Sequence, residues 1–236
     1  MAYLNKEHIV LMPGLDGTGR SFEPVLPLID EDARITIVKY PEDRFLSFDE
    51  TVSCALSQIP QGTSPIIIAE SFSGPVAVRL VASGIISPKA LVLCATFACS
   101  PRPLLWRIAR FLRLPFIIRE DMPRFFFKFV IGRDELIDAL LPLWKKVHAG
   151  VPPRIMKSRL GMINEVDVRS DLDKLTLPCL YLQAKNDRIV PSSCLRNFVR
   201  HVPHLCVNSF DAPHFILQAL PKDCLKAIEA FLKEIH

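Results

Sequence analysis

Residues 65 to 76 read Pro65-Ile66-Ile67-Ile68-Ala69-Glu70-Ser71-Phe72-Ser73-Gly74-Pro75-Val76, and no other stretch limits the fold so tightly. A fully apolar, β-branched run ends abruptly in small-x-Ser-x-small, and a helix-forming segment follows. A buried parallel strand feeding a very tight turn has this form, because Ala69 and Ser73 put no bulk where strand and helix nearly touch. Such a turn strains its central residue and lifts the Ser71 hydroxyl clear of the sheet. Ala69 and Ser73 stand where two glycines are usual. Taken alone, the stretch also fits a plain strand-to-helix junction with a capping serine.

The rest of the chain repeats the alternation. Apolar runs predict strands at His8 to Met12, Ile35 to Lys39, Ile66 to Ala69, Leu91 to Cys94, Cys179 to Gln183 and Leu205 to Phe210. Helical patterning lies between them at 22–29, 48–59, 75–83 and 192–199, and again at 222–235. Strand and helix in alternation mean crossover connections and a mostly parallel sheet covered on both faces. Residues 100–165 break the rhythm. Leu104, Leu105, Ile108, Phe111 and Leu112 share one helical face, with Arg107, Arg110 and Arg113 on another. A dense Phe125-Phe126-Phe127-Lys128-Phe129 segment and a helical pattern from Glu135 to Trp144 follow. The expected organisation is therefore an α/β core over 1–99 and 166–236 with a helical insertion at 100–165, after the fourth strand.

Charge divides along the same boundary. Residues 101–160 hold 13 Lys and Arg against 5 Asp and Glu, leaving 16 against 20 elsewhere, so the overall +4 conceals a basic insertion on an acidic body. The 236 residues suit one such domain. No apolar signal core opens the chain, and the uncharged, largely apolar run Ala90 to Pro101 is about half a membrane span. Seven cysteines (54, 94, 99, 179, 194, 206 and 224), odd in number and without metal-ligand spacing, favour reduced thiols in a cytoplasmic protein. No HExxH, Walker or complete GxGxxG pattern is present, so neither metal nor nucleotide cofactor is implied. No nucleic-acid-binding module is recognisable.

A nucleophilic serine needs a base, and the base an orienting acid. Of the six histidines, His214 follows the last expected strand in Asp211-Ala212-Pro213-His214-Phe215. The C-terminal ends of parallel strands share one edge, so His214 can meet Ser71 there. Asp187, in Asn186-Asp187-Arg188 after the penultimate strand, is the acid favoured by the Ser, Asp, His chain order. Asp211 is the competitor, though its place on the histidine's own loop suits it less. Straight after the first strand, Met12-Pro13-Gly14-Leu15-Asp16-Gly17-Thr18-Gly19 holds three of the nine glycines. Without a Walker Lys or dinucleotide spacing it reads as an oxyanion loop, with the Leu15 and Phe72 N–H groups as donors.

Together these motifs resemble the α/β-hydrolases across both sheet-forming sections, with the insertion in the place of that family's variable cap. The sheet is trimmed to about six strands, beginning at what is normally the third, and Pro13-Gly14 replaces the common His-Gly. The resemblance implies a serine hydrolase acting on a carboxylic ester through an acyl-enzyme. Thioesterase or acyltransferase chemistry is compatible with the same residues, and a catalytically silent binding module is the alternative of another class. A basic cap is also a feature of the pimeloyl carrier-protein methyl ester esterases, which points to a short- to medium-chain acyl ester on an acyl carrier protein. On that reading Arg107, Arg110 and Arg113 meet the anionic carrier; otherwise they merely solvate a helix.

Overall fold

The central strands form where unbroken apolar runs demand burial on both faces, and all six strands pair in parallel in the order β2-β1-β3-β4-β5-β6. They are β1 (His8–Met12), β2 (Arg34–Ile37), β3 (Ile66–Glu70), β4 (Ala90–Cys94), β5 (Cys179–Ala184) and β6 (Cys206–Phe210). The computed structural model describes residues 7–29, 33–102 and 122–235. Central strands β1, β3 and β4 are buried throughout, whereas the outermost, β6, is mostly exposed. Register aligns Ile9 with Ile66 and Ile66 with Ala90, so the three central runs form continuous apolar rows.

The two-residue period of a strand splits those runs between two cores. Val10, Met12, Ile67, Ala69, Leu91 and Leu93 face one layer, and Ile9, Leu11, Ile66, Ile68 and Val92 the other. Helices α1 (Phe48–Gln58), α2 (Ser73–Ala82) and α7 (Leu195–His201) seat Ala55, Leu80 and Phe198 in the first layer. The terminal helix α8 (Pro221–Glu234) presents Leu225, Ile228 and Leu232 to the second. Full burial of each of these leucine, isoleucine and phenylalanine side chains stabilises the fold by roughly 2 kcal/mol. Helix α1 starts sharply because Ser47 Oγ accepts from the Glu50 N–H while the Glu50 carboxylate accepts from the Ser47 N–H.

Two expectations change. Residues 22–29 form not one helix but two 3-10 turns, Arg20–Phe22 and Leu26–Leu28. Pro24 and Pro27 each lack the N–H a continuing helix needs. Strand β2 ends early because Lys39 N–H goes to the Gln58 side chain and Tyr40 N–H to Gly17 O, turning the chain onto the loop after β1.

Between β4 and β5 lie α3 (Arg124–Ile131), α4 (Ile137–His148) and α5 (Pro153–Glu165), followed by the short α6 (Arg169–Leu172). The 153–165 helix has no counterpart among the elements the sequence predicts. Leu104 to Leu112 and Arg107, Arg110 and Arg113 lie outside the described residues. Phe127 and Leu140 are buried in a separate cluster against which Phe215 and Ala219 also pack, whereas Phe125 and Phe129 of the same aromatic run are exposed. All seven cysteines are free thiols. Among the described residues no helix is long and apolar enough to cross a membrane.

Candidate active site

The strand order reverses between β1 and β3, and the loops leaving the C-terminal ends of these two strands flank the crevice made there. Ser71 leaves β3 with φ +48, a backbone state costly for a residue carrying a side chain. Its surroundings hold it there. Ser71 N–H donates to Cys94 O at 2.9 Å, and Thr96 Oγ1 donates to Ser71 O at 2.5 Å. The close approach that the turn requires falls at Gly74, where a Cβ would sit 1.9 Å from Thr96 Oγ1. Ser73 is fully buried where a glycine is usual, and its hydroxyl is used: it donates to Pro13 O and accepts from the Tyr40 hydroxyl, 2.7 Å away.

His214, on the loop after β6, stands between Ser71 and Asp187. Its Nε2 is 2.9 Å from Ser71 Oγ, and its Nδ1 is 2.6 Å from Asp187 Oδ2. Asp187 Oδ1 accepts from the Ile189 and Val190 N–H groups at 2.8 and 2.7 Å, so the carboxylate is fixed by its own turn. The competitor Asp211 faces elsewhere, bonded to Asn186 and paired with Arg133 at 3.2 Å. Burial disfavours the His214 imidazolium, but the Asp187 charge and hydrogen bond, with the Glu70 charge, outweigh it and raise the pKa above 6.5.

The glycine loop after β1 turns back on itself through Gly17 N–H to Gly14 O at 3.1 Å. Leu15 borders the same cavity as Ser71, and Phe72 is the residue next to Ser71. Neither Leu15 nor Phe72 N–H donates to a backbone carbonyl in the described turns and caps. Glu70, also buried, accepts from Gln218 Nε2 at 3.2 Å and, more distantly, from Ser21 Oγ at 3.4 Å. Burial and then the Asp16 charge push it up to about 7, against the pull of His214, Gln218 and Ser21.

Ser71 and His214 open into a cavity of about 1090 Å³ including its mouth. Helices α3, α4 and α5 line it with Phe127, Leu140, Leu143, Val147 and Leu160 among others. His148 also borders it, stacked on Trp144 at 3.7 Å, with its Nδ1 bonded to Trp144 O. The sequence reading missed Thr96, Tyr40 and Arg159, a buried cation of α5 that contacts the glycine loop. Arg159 alone had a usable signal, since it falls in helical register with the apolar Ile155, Met156 and Ile163.

No protein-family model matches the chain. A pimeloyl-[acyl-carrier protein] methyl ester esterase of Nitrosomonas europaea is 25% identical over 169 residues, 64% of this chain and 67% of that one. Among solved structures, the bromoperoxidase of Bacillus anthracis superposes with TM-score 0.80 at 18% identity, covering 96% of this chain and 92% of its own. The enol-lactonase of Burkholderia xenovorans gives 0.77 at 15% identity, covering 96% and 91%. With a six-stranded parallel sheet, a strained serine turn after β3 and helices on both faces, the chain has the α/β-hydrolase fold.

Proposed function

We propose that the protein is a serine hydrolase that cleaves a carboxylic ester through an acyl-enzyme. One observation carries this reading: a single imidazole lies within hydrogen-bond distance of both a strained serine hydroxyl and a buried, turn-fixed carboxylate. Ser71 Oγ attacks the carbonyl carbon while His214 Nε2 takes its proton. Asp187 holds His214 Nδ1 protonated, which leaves Nε2 the acceptor, and stabilises the imidazolium. The N–H groups of Leu15 and Phe72 receive the oxyanion; losing one such donor costs roughly 3 kcal/mol in the barrier. His214 then protonates the departing alcohol. Water attacks the acyl-enzyme by the same path reversed, and Ser71 recovers its proton.

The apolar cavity wall supports an uncharged acyl chain as the buried part of the substrate. The relative's activity and the basic insertion together support an acyl ester presented on an acidic carrier protein. The insertion's cap role is supported at its base, where Cys99 bridges Asp167 and Val168 N–H donates to Ala98 O at 2.8 Å, close to the 100–165 boundary.

A chain-length series of methyl esters, free and carrier-bound, with the corresponding thioesters, tests the proposal. The expected result is turnover rising with chain length over short acyl groups, a preference for the carrier-bound form that weakens with added salt, and slower thioester cleavage. Equal rates for free and carrier-bound esters at all salt concentrations would remove the carrier. Thioester cleavage outrunning ester cleavage would turn the assignment to a thioesterase.

A further inference from the structure

Arg159 rises from α5 of the insertion into the protein interior, where it is only 6% exposed. No carboxylate lies within ion-pair distance of it among the described residues. Its partners are backbone carbonyls. Nη1 donates to Leu15 O at 2.9 Å and to Asp16 O, and Nη2 donates to Pro41 O at 3.0 Å and, more weakly, to Tyr40 O at 3.4 Å. Its guanidinium also lies 5.8 Å from the centre of the Tyr40 ring. A buried cation is expensive to desolvate, and here the planar fork is matched to two chain segments at once, the loop after β1 and the turn after β2.

These contacts bear on the direction of one N–H. In a trans peptide, C=O and N–H point opposite ways. Gly14 C=O is turned toward Gly17 N–H, so Leu15 N–H faces away from the turn interior. The turn keeps that shape only while its other carbonyls are held. Ser73 anchors Pro13 O at the near end, Tyr40 N–H anchors Gly17 O at the far end at 2.8 Å, and Arg159 takes the two carbonyls between, Leu15 O and Asp16 O. Gly17 reserves the space, for a Cβ there would lie 2.6 Å from Arg159 Nη1.

We infer that Arg159 is a positioning residue, through which the insertion fixes the Leu15 N–H as an oxyanion donor. The inference rests on the serine-hydrolase reading above and adds to it a dependence of catalysis on a side chain that does not border the cavity. Two other arginines tie the insertion to the remaining site loops. Arg133 of the insertion reaches Asp211 on the histidine loop, and Arg188 of the acid loop donates to Phe129 O at 2.6 Å. These three arginines each tie the insertion to a different loop, and of the three contacts only that of Arg159 is buried.

The test compares wild type, Arg159→Met, Arg159→Lys and Arg159→Gly on one ester. Each folded variant is assayed for kcat and KM separately, and Arg159→Gly also with added guanidinium ion. Arg159→Met should lose about 100-fold in kcat with KM changed less than about 3-fold, as expected when an oxyanion donor is misplaced. Arg159→Lys should stay low, because a point charge cannot hold four carbonyls in a plane. Guanidinium should restore activity to Arg159→Gly alone. Arg159→Met with kcat within about 2-fold of wild type, or a loss confined to KM, would overturn the inference. If Arg159→Met does not fold, Arg159→Gly decides: folded but not rescued, or unfolded with and without guanidinium, it overturns a role in positioning and leaves only one in stability. Ser71→Ala is run alongside. Full turnover there removes the serine mechanism itself, whereas an inactive Ser71→Ala beside a fully active Arg159→Met removes only this inference.

Discussion

Replacing Glu70 with Gln should make the protein relatively more stable as pH rises, and the size of the effect follows from where Glu70 sits. It is 3% exposed, immediately before Ser71, with the Asp16 charge opposing its ionisation and two donors on one oxygen. Its pKa is pushed from 4.5 to about 7. The folded protein therefore keeps this proton to higher pH than the unfolded chain does. The stability from the protonated group is fully present below about 4.5 and is lost as pH rises through about 7. At about 1.4 kcal/mol per unit, the loss comes to about 3 kcal/mol. Gln cannot ionise and keeps the volume. Urea unfolding of both proteins at pH 4.5 and pH 8 should show the Glu70→Gln advantage growing by about 3 kcal/mol between the two. A difference independent of pH would refute the buried, proton-holding carboxyl. The same substitution has a kinetic readout. Glu70's charge helps raise His214, and the base must be neutral, so the acidic limb of kcat/KM, expected above pH 6.5, should move to lower pH in Glu70→Gln.

Gly74→Ala should destabilise by about 3 kcal/mol in urea unfolding, because its Cβ would sit 1.9 Å from Thr96 Oγ1 with buried backbone on either side. A loss under about 1 kcal/mol would mean the turn can open without cost. Asp187→Asn should leave the fold intact, since the amide oxygen can still accept from Ile189 and Val190, yet lower kcat by about 10⁴ through the wrong imidazole tautomer. A fall of less than about tenfold would show that Asp187 does not orient the base.

The sheet was legible because burial on both faces leaves uninterrupted β-branched runs, and the site's order along the chain followed from which strand each loop leaves. At 22–29 the apolar pattern suggests a helix, but Pro24 and Pro27 leave only single turns. Ser73 looked like a flaw in the motif. Its hydroxyl has two buried partners, Pro13 O and Tyr40, that come from the loop after β1 and from beyond β2, and no local pattern announces them. Arg159 falls in register with the apolar face of its helix, but its partners were hidden for a similar reason. An arginine in a helix is ordinarily solvated, and what buries this one is four carbonyls more than a hundred positions away in sequence. Long-range polar contacts of this kind have no periodicity to read.

Reaction with a fluorophosphonate, followed by mass mapping of the modified residue, is the most direct measure of whether an activated serine exists here. The account expects one covalent adduct, on Ser71, formed at a rate that falls as His214 is protonated and vanishing in Ser71→Ala. A wild-type protein that stays unmodified, or an adduct that persists on another residue in Ser71→Ala while ester hydrolysis continues, would contradict it.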